Sequence, residues 1–222
     1  MNDVDTAGTH AGEGLTQRSR ERILAAALEE FAIRGFDGTT TAAIARRADV
    51  TQPLVHYHFA TKVVLWQAAV ETAFQRSAIV FAGVAEALHG LEPIDQMKVL
   101  IRRYVRFSSQ YPELARIVSY ESMQGGARLQ WLTDQNMGGE LKWFRTLFAQ
   151  GVREGWMKPL PVMHVVASLG ASGAYLFMVR AAMLETYGVD VTESEVVERH
   201  ADTLIELFLH GLVPASIPEP CP

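Results

Sequence analysis

The chain has 222 residues, with 20 Lys+Arg against 25 Asp+Glu and one cysteine. That length allows one large domain, or a small one joined to one of ordinary size. A hydrophobic share of 49% and a charged share of 20% are those of a globular chain, which excludes a disordered or collagen-like polymer. A lone cysteine, Cys221, cannot form an internal disulfide, so a disulfide-stapled secreted scaffold is excluded too. The net charge of −5 argues against coating nucleic acid by bulk charge, but leaves room for a small basic module.

Residues 1–17 hold Asp3, Asp5 and Glu13 among Gly, Thr and Ala, with no apolar run. A signal peptide needs a basic start and an apolar stretch; neither is present, and the segment reads as a disordered tail. Leu24, Ala27, Leu28 and Phe31 then fall at i, i+3, i+4, i+7, the spacing of one helix face. Gly35 supplies a stop. Thr40 or Thr41 can cap a short second helix carrying Ile44, Ala45 and Ala48. Asp49, Val50 and Thr51 form a turn, and a third helix opens with Pro53 in its first turn. Phe59 ends it. Thr61 caps a long fourth helix running towards Ala87.

Further on, Pro93 and Pro112 each start a helix, and Gly125-Gly126 is a break. Helical period resumes from Leu141 to Val152. A long apolar helix follows Pro161 and ends near Gly188. Thr192 and Glu195 make a capping box before a final amphipathic helix. No alternation suggests a strand. The expected fold is all-α with about nine helices. Residues 161–179 lack Asp, Glu, Lys and Arg and approach the length of a membrane span. His164, Ser168, Ser172, Gly170 and Gly173 weaken that reading, so a helix buried in protein, with no membrane partner and a cytoplasmic location, is expected. Residues 214–222 contain Pro214, Pro218 and Pro220 and read as a flexible tail.

Charge is unevenly divided. Residues 14–66 hold 7 Lys+Arg against 5 Asp+Glu, while residues 67 onward hold 13 against 17. A small cationic head on an acidic body suits a module whose head meets phosphate. Residues 39–62 carry the functional signal. Two short helices joined by a tight turn, locked by Ile44, Ala45, Ala48, Val50 and Val55, are a helix-turn-helix. The second helix of such a pair enters the DNA major groove by its first turn. Gln52 can both donate to and accept from a base edge, and Pro53 and Leu54 suit a thymine methyl. His56, Tyr57 and His58 can donate to phosphate, and Thr41 and Lys62 can reach the flanking backbone. Arg46 and Arg47 divide evenly between DNA backbone and solvated surface. Arg18, Arg20 and Arg22 can reach the backbone or a minor groove.

These residues resemble the DNA-binding head of tetracycline-repressor (TetR/AcrR) family regulators. The matching stretch runs through Phe31, Gly35, Thr39-Thr40, Ile44-Ala45, Ala48-x-Val50 and Tyr57-x-Phe59 to Thr61-Lys62. The resemblance implies a head over 18–66 and a ligand-binding, dimerising helical body over 67–213. It implies a homodimeric repressor that binds a palindromic, double-stranded operator and is released by a small effector. Residue by residue it carries over Thr41, Gln52, Pro53, Leu54, His56, Tyr57, His58 and Lys62. Ala42 stands where some members have a base-reading arginine, His56 where tyrosine is usual, and Asp49 where the turn usually has glycine.

In the body, Tyr104, Phe107, Tyr120, Met123, Trp131, Trp143, Phe144 and Phe177 are candidates for an apolar pocket, against the plainer reading that they form the core. Arg103, Arg106, Glu121, His164 and Arg180 are candidate polar anchors, with Arg106 and Glu121 as a possible pair. The small residues Gly170, Ala171 and Ala174, with Leu204 and Phe208 of the last helix, are candidates for a dimeric four-helix bundle, against intramolecular packing. No nucleophile elbow, phosphate loop, HExxH or CxxC is present, so no enzyme, metal or cofactor is expected. The rival reading is a helical scaffold or small-molecule binder whose head docks another protein.

Overall fold

The computed structural model describes residues 6–134 and 142–212. The 214–222 segment with Cys221 lies outside these, as does the side chain of Trp143. No strand occurs among the described residues, and the fold is all-α as expected. The elements are α1 (Thr6–Gly38), α2 (Thr41–Arg47), α3 (Gln52–His58), α4 (Lys62–Phe81), α5 (Val84–Leu88) and α6 (Pro93–Gln110). They continue as α7 (Pro112–Gln124), α8 (Ala127–Asp134), α9 (Lys142–Glu154), α10 (Val162–Met178), α11 (Arg180–Tyr187) and α12 (Ser194–Leu212).

Among the described residues twelve elements replace the expected nine, for local reasons. Gly83 takes a left-handed φ of 71° and divides α5 from α4. Val179 breaks the apolar helix, so α10 and α11 meet at a 65° bend. The third addition, α8, follows the Gly125-Gly126 break. No single helix among the described residues is long and apolar enough to cross a membrane; the bent α10–α11 pair reaches that length and composition only together. Residues 6–17, expected to be a disordered tail, are instead the opening turns of α1. They contain no proline, so a helix nucleated in the packed segment that follows can extend back through them.

Side chains start the head helices. The Thr40 hydroxyl accepts from the Ala43 N–H, and the Thr61 hydroxyl accepts from the Val64 N–H. At the start of α12, the Thr192 N–H and hydroxyl both donate to the Asp190 carboxylate, which replaces the expected capping box. Two apolar clusters hold the molecule together. One joins Ile23, Ala27, Phe31, Ile44, Val55, Leu65 and Trp66 to Leu114, Ile117 and Leu132 of α7 and α8. The other is built on Met97, Ile101, Phe144, Phe148, Leu169, Phe177 and Ala201. Head and body therefore meet through α4 and α7, with α7 lying against α1.

Candidate nucleic-acid interface and effector cavity

Steric fit builds the head. Ala45 is buried where α2 meets α3, and Ile44 and Val55 are fully buried beside it. Asp49 sits in the turn at φ 51°, a conformation that Asp tolerates better than most residues. Arg22 clamps that turn from α1. Its guanidinium donates to the carbonyls of Ala48 and Asp49, and to the Asp49 carboxylate at 3.0 Å. Arg22 stays exposed at the surface while its guanidinium holds the turn.

On α3 the leading residues Gln52 and Pro53, with His56 and Tyr57, are exposed, and Leu54 is half-buried. The Gln52 amide donates to the Thr41 hydroxyl at 3.1 Å, so these two candidates from α3 and α2 are adjacent. Tyr57 is 76% exposed, whereas Phe59 is buried core. His58 turns inward instead. Its Nε2 lies 3.0 Å from the Ser19 hydroxyl. Burial, and then the nearby Arg20 charge, hold this imidazole below its usual pKa.

The basic side chains divide in the same way. Arg46 is exposed. Arg47 instead bonds Glu30 at 2.7 Å and Glu29 at 2.6 Å, tying α2 to α1. Burial pushes the Glu30 carboxyl up, but Arg47 and Arg34 outweigh it and bring its pKa below the usual value. The Lys62 ammonium donates to the carbonyls of Phe36 at 2.9 Å and Thr39 at 3.0 Å, and sits 4.4 Å from the Phe36 ring centroid. Its first role is to bind the end of α1 to the start of α4, which sequence spacing alone did not reveal.

In the body, α4, α6, α7 and α10 line a half-open cavity of about 570 Å³, with the exposed Ala167, Ala171 and Tyr175 at its rim. That is the size of a small-molecule site. Its walls are mostly apolar and include Phe74, Tyr111, Leu114, Val118 and Met178, with Ser108, Ser119 and Ser122 as polar groups. Of the expected pocket residues, the structure brings Tyr104 and Phe107 to this cavity. Tyr120 lies against Gly35, Met123 is exposed, and Trp131 packs on Trp66 with centroids 5.2 Å apart. Phe144 stacks on Phe148, and Phe177 meets His200 edge to face. Tyr120, Met123 and Phe177 lie on cavity-lining helices but on other faces, whereas Trp131 and Phe144 belong to α8 and α9, which do not reach the cavity. The serines of α6 and α7 were the missed signal: Ala115, Ser119 and Ser122 recur at helical spacing as a small, weakly polar face.

The small-residue stripe of α10 borders the cavity. Ala167, Gly170, Ala171 and Ala174 line the cavity. Their missing bulk leaves the volume open, and two lining residues are tied where the Tyr104 hydroxyl donates to the Gly170 carbonyl at 3.0 Å. Ala174 and Leu204 are buried within the protomer and cannot present surface to a partner. Phe208 is half-buried against the second cluster. Ala171 remains exposed, in line with Met163, Ala167 and Tyr175 on α10. Among the candidate anchors, Arg106 pairs with Glu198 and Glu121 with Arg128, not with each other. Arg180 pairs with Asp190, and His164 is exposed.

A helix-turn-helix with an exposed leading edge, joined to a helical body with a mostly apolar cavity, defines a DNA-binding regulator. Residues 23–69 match the family model for bacterial regulatory proteins of the tetR family. Residues 93–207 match the tetracyclin repressor-like C-terminal domain. The chain belongs to the TetR family of transcriptional regulators, whose members are transcription factors rather than enzymes. It is 23% identical over 199 residues to the HTH-type transcriptional regulator RutR of Escherichia coli K12, covering 88% of this chain and 91% of that one. The same fold occurs in Bacillus subtilis FadR, solved in complex with stearoyl-CoA, with a TM-score of 0.62, 16% identity, and 86% and 98% of the two chains covered. A tetR-family regulator from Shewanella sp. PV-4 aligns with a TM-score of 0.59 and 20% identity, covering 88% of this chain and 98% of that one.

Proposed function

We propose that this regulator is a homodimeric, ligand-released repressor of a palindromic operator, with a head at 18–66 and an effector-binding, dimerising body at 67–213. The observation that carries this reading is the position of α7. One edge of that helix, Leu114, Ala115, Val118, Ser119 and Ser122, lines the cavity. The opposite edge touches the head. Tyr120 packs on Gly35, and Arg128, held by Glu121 at 2.9 Å, lies 4.3 Å from the Phe36 ring centroid and 3.7 Å from the Asp37 carboxylate. An occupant of the cavity pushes on the helix that sets the head's position. It shifts the population of head spacings to the extent that it binds one spacing better than another.

In this reading Gln52, Pro53 and Leu54 read base edges, while Thr41, Arg46, His56 and Tyr57 contact the backbone. Lys62 supports them from within and leaves one donor for phosphate. His58 acts through Ser19 to hold α3 on α1. Two heads one helical turn apart, about 34–36 Å, would read successive major grooves. Met163, Ala171 and Tyr175 of α10, with Leu207 and Phe208 of α12, form the face offered to the second protomer. Tyr175 and Leu207 are 62% and 65% exposed, which supports an apolar face awaiting cover. The cavity's chemistry supports an apolar or aromatic effector, and the stearoyl-CoA complex of the FadR neighbour is consistent with that class. A repressor of this kind works where the chromosome is, which makes the cytoplasm its proposed location.

The test is a titration of the full chain onto duplex DNA at several salt concentrations, with the protein's mass in solution measured in parallel. A dimer whose DNA affinity falls steeply as salt rises supports the reading. A monomer with no salt-dependent binding overturns it and leaves the head as a protein-docking unit.

A further inference from the structure

The basic residues of α6 form a row: Lys98, Arg102, Arg103 and Arg106. Three of them have carboxylate partners. Lys98 bonds Asp95 at 2.8 Å, Arg102 bonds Glu198 and Asp202 at 2.9 and 2.6 Å, and Arg106 bonds Glu198 at 2.6 Å. Arg103 has no ion pair among the described residues. Its Nη1 is buried without a hydrogen-bond partner, one of two such side-chain atoms among those residues; the other is Trp66 Nε1. A guanidinium cannot shed its proton to relieve this, so a buried, unmet donor on it is a standing cost.

The surroundings of Arg103 form a site. All four basic residues line a groove of about 450 Å³, completed by Val80 of α4, Ala87 of α5, and Val99, Phe107 and Gln110 of α6. Phe107 also lines the apolar cavity, so its ring is a wall common to both volumes. That ring is packed between Phe81 and Tyr111, with centroids 5.8 and 5.4 Å away. One side of it is apolar with a few hydroxyls, and the other side carries an arginine that lacks an anion.

We infer that Arg103 anchors the oxyanion of an amphipathic effector, a carboxylate or phosphate whose apolar part occupies the cavity beyond Phe107. This rests on reading the cavity as the effector site. The guanidinium fork suits either oxyanion, and both gain from charge-assisted hydrogen bonds. Glu198 and Asp202 are held by Arg102 and Arg106 and do not compete for Arg103. The Gln110 amide adds a neutral donor on the groove wall. For one ligand to occupy both volumes, the buried Phe107 ring has to give way between them.

Calorimetric titration of the full chain with decanoate, decyl phosphate and decanol tests this, using wild type, R103Q and R103M. In wild type the stronger of the two anions binds at least tenfold more tightly than decanol, and inorganic phosphate competes with it but not with decanol. The ranking of the two anions identifies which oxyanion is preferred. Both variants, checked for unchanged helicity and melting, lose the preference and keep decanol binding. A preference that survives both variants overturns the inference and leaves the cavity reading intact, as does wild type binding decanol as tightly as both anions. Should both variants unfold, the phosphate competition in wild type decides: its absence overturns the inference. If none of the three compounds binds wild type, the cavity reading itself fails, and the anchor with it.

Discussion

The Tyr120 ring occupies the space that a side chain at Gly35 would fill: a Cβ there would lie 2.5 Å from Tyr120 Cζ. Gly35 also has φ 68°, a region that side chains rarely adopt. Body and head are thus fitted to each other at a position only glycine satisfies. Gly35→Ala should lower stability by about 1–3 kcal/mol, since it combines overpacking with backbone strain. Adding Tyr120→Ala should recover the steric part and leave the strain. Chemical denaturation of the two single variants and the double variant measures this coupling.

Lys62 and Gln52 should separate cleanly. Lys62→Met removes two bonds to the carbonyls of Phe36 and Thr39, so it should cost roughly 1–3 kcal/mol and weaken binding to every duplex alike. Gln52→Ala loses an exposed bond to Thr41 and should leave melting nearly unchanged while relaxing base preference. Thermal melts, together with affinities for operator and random DNA, distinguish the two. Equal losses on both DNAs for Gln52→Ala would remove its base-reading role.

Gly173→Ala tests the packing of the cavity wall. A Cβ there would lie 2.6 Å from the Tyr104 ring, which is tethered to the Gly170 carbonyl. Alanine gains about 1 kcal/mol in helix propensity, but overpacking against a tethered ring costs about 1–3 kcal/mol. The expected result is a lower melting temperature, with Tyr104 pushed into the cavity and its ligand capacity reduced. A variant of unchanged stability and capacity would show that Tyr104 moves freely.

Acid should destabilise the fold before its carboxylates titrate. Burial lowers the pKa values of His58, helped by Arg20, and of His200, where the Ser172 carbonyl partly opposes it. With folded values below the unfolded 6.5, the unfolded chain binds more protons as pH falls through that region. Stability is complete above pH 6.5 and declines from there towards the folded values. The lowered pKa values of Glu30 and Glu198 add losses only at more acidic pH. His200→Gln should flatten the melting-temperature profile between about pH 7.5 and pH 5.5. A profile identical to wild type would remove His200 from this role.

Much of the head is legible in the sequence, because its signals are local. Thr40 and Thr61 cap where their spacing places them, Gly35 breaks α1 with a kink just before its end at Gly38, and Asp49 takes the left-handed turn position. The roles of Arg22, Arg47 and Lys62 are not legible. Each basic side chain reaches a partner 15 or more residues away, and a sequence cannot show whether a surface arginine faces solvent or a carbonyl. The body is less legible for a related reason. Aromatic residues such as Phe144 and Phe177 signal burial but not which face of a helix borders empty space. The cavity is marked instead by what is small: Ala115, Ala167, Gly170 and Ala174. The break at Val179 has no glycine or proline to announce it. It is held by Arg116, which donates to the carbonyls of Phe177 and Met178 from α7.

The most direct measurement is selection of random duplex DNA by the purified wild-type protein, repeated with Gln52→Ala and at two salt concentrations. An enriched palindrome is expected, with half-sites about 34–36 Å apart or a multiple of that, salt-sensitive affinity, and weaker base discrimination in the variant. Enrichment of no sequence, with only weak binding at low salt, would contradict the assignment of α3 as a reader of operator DNA.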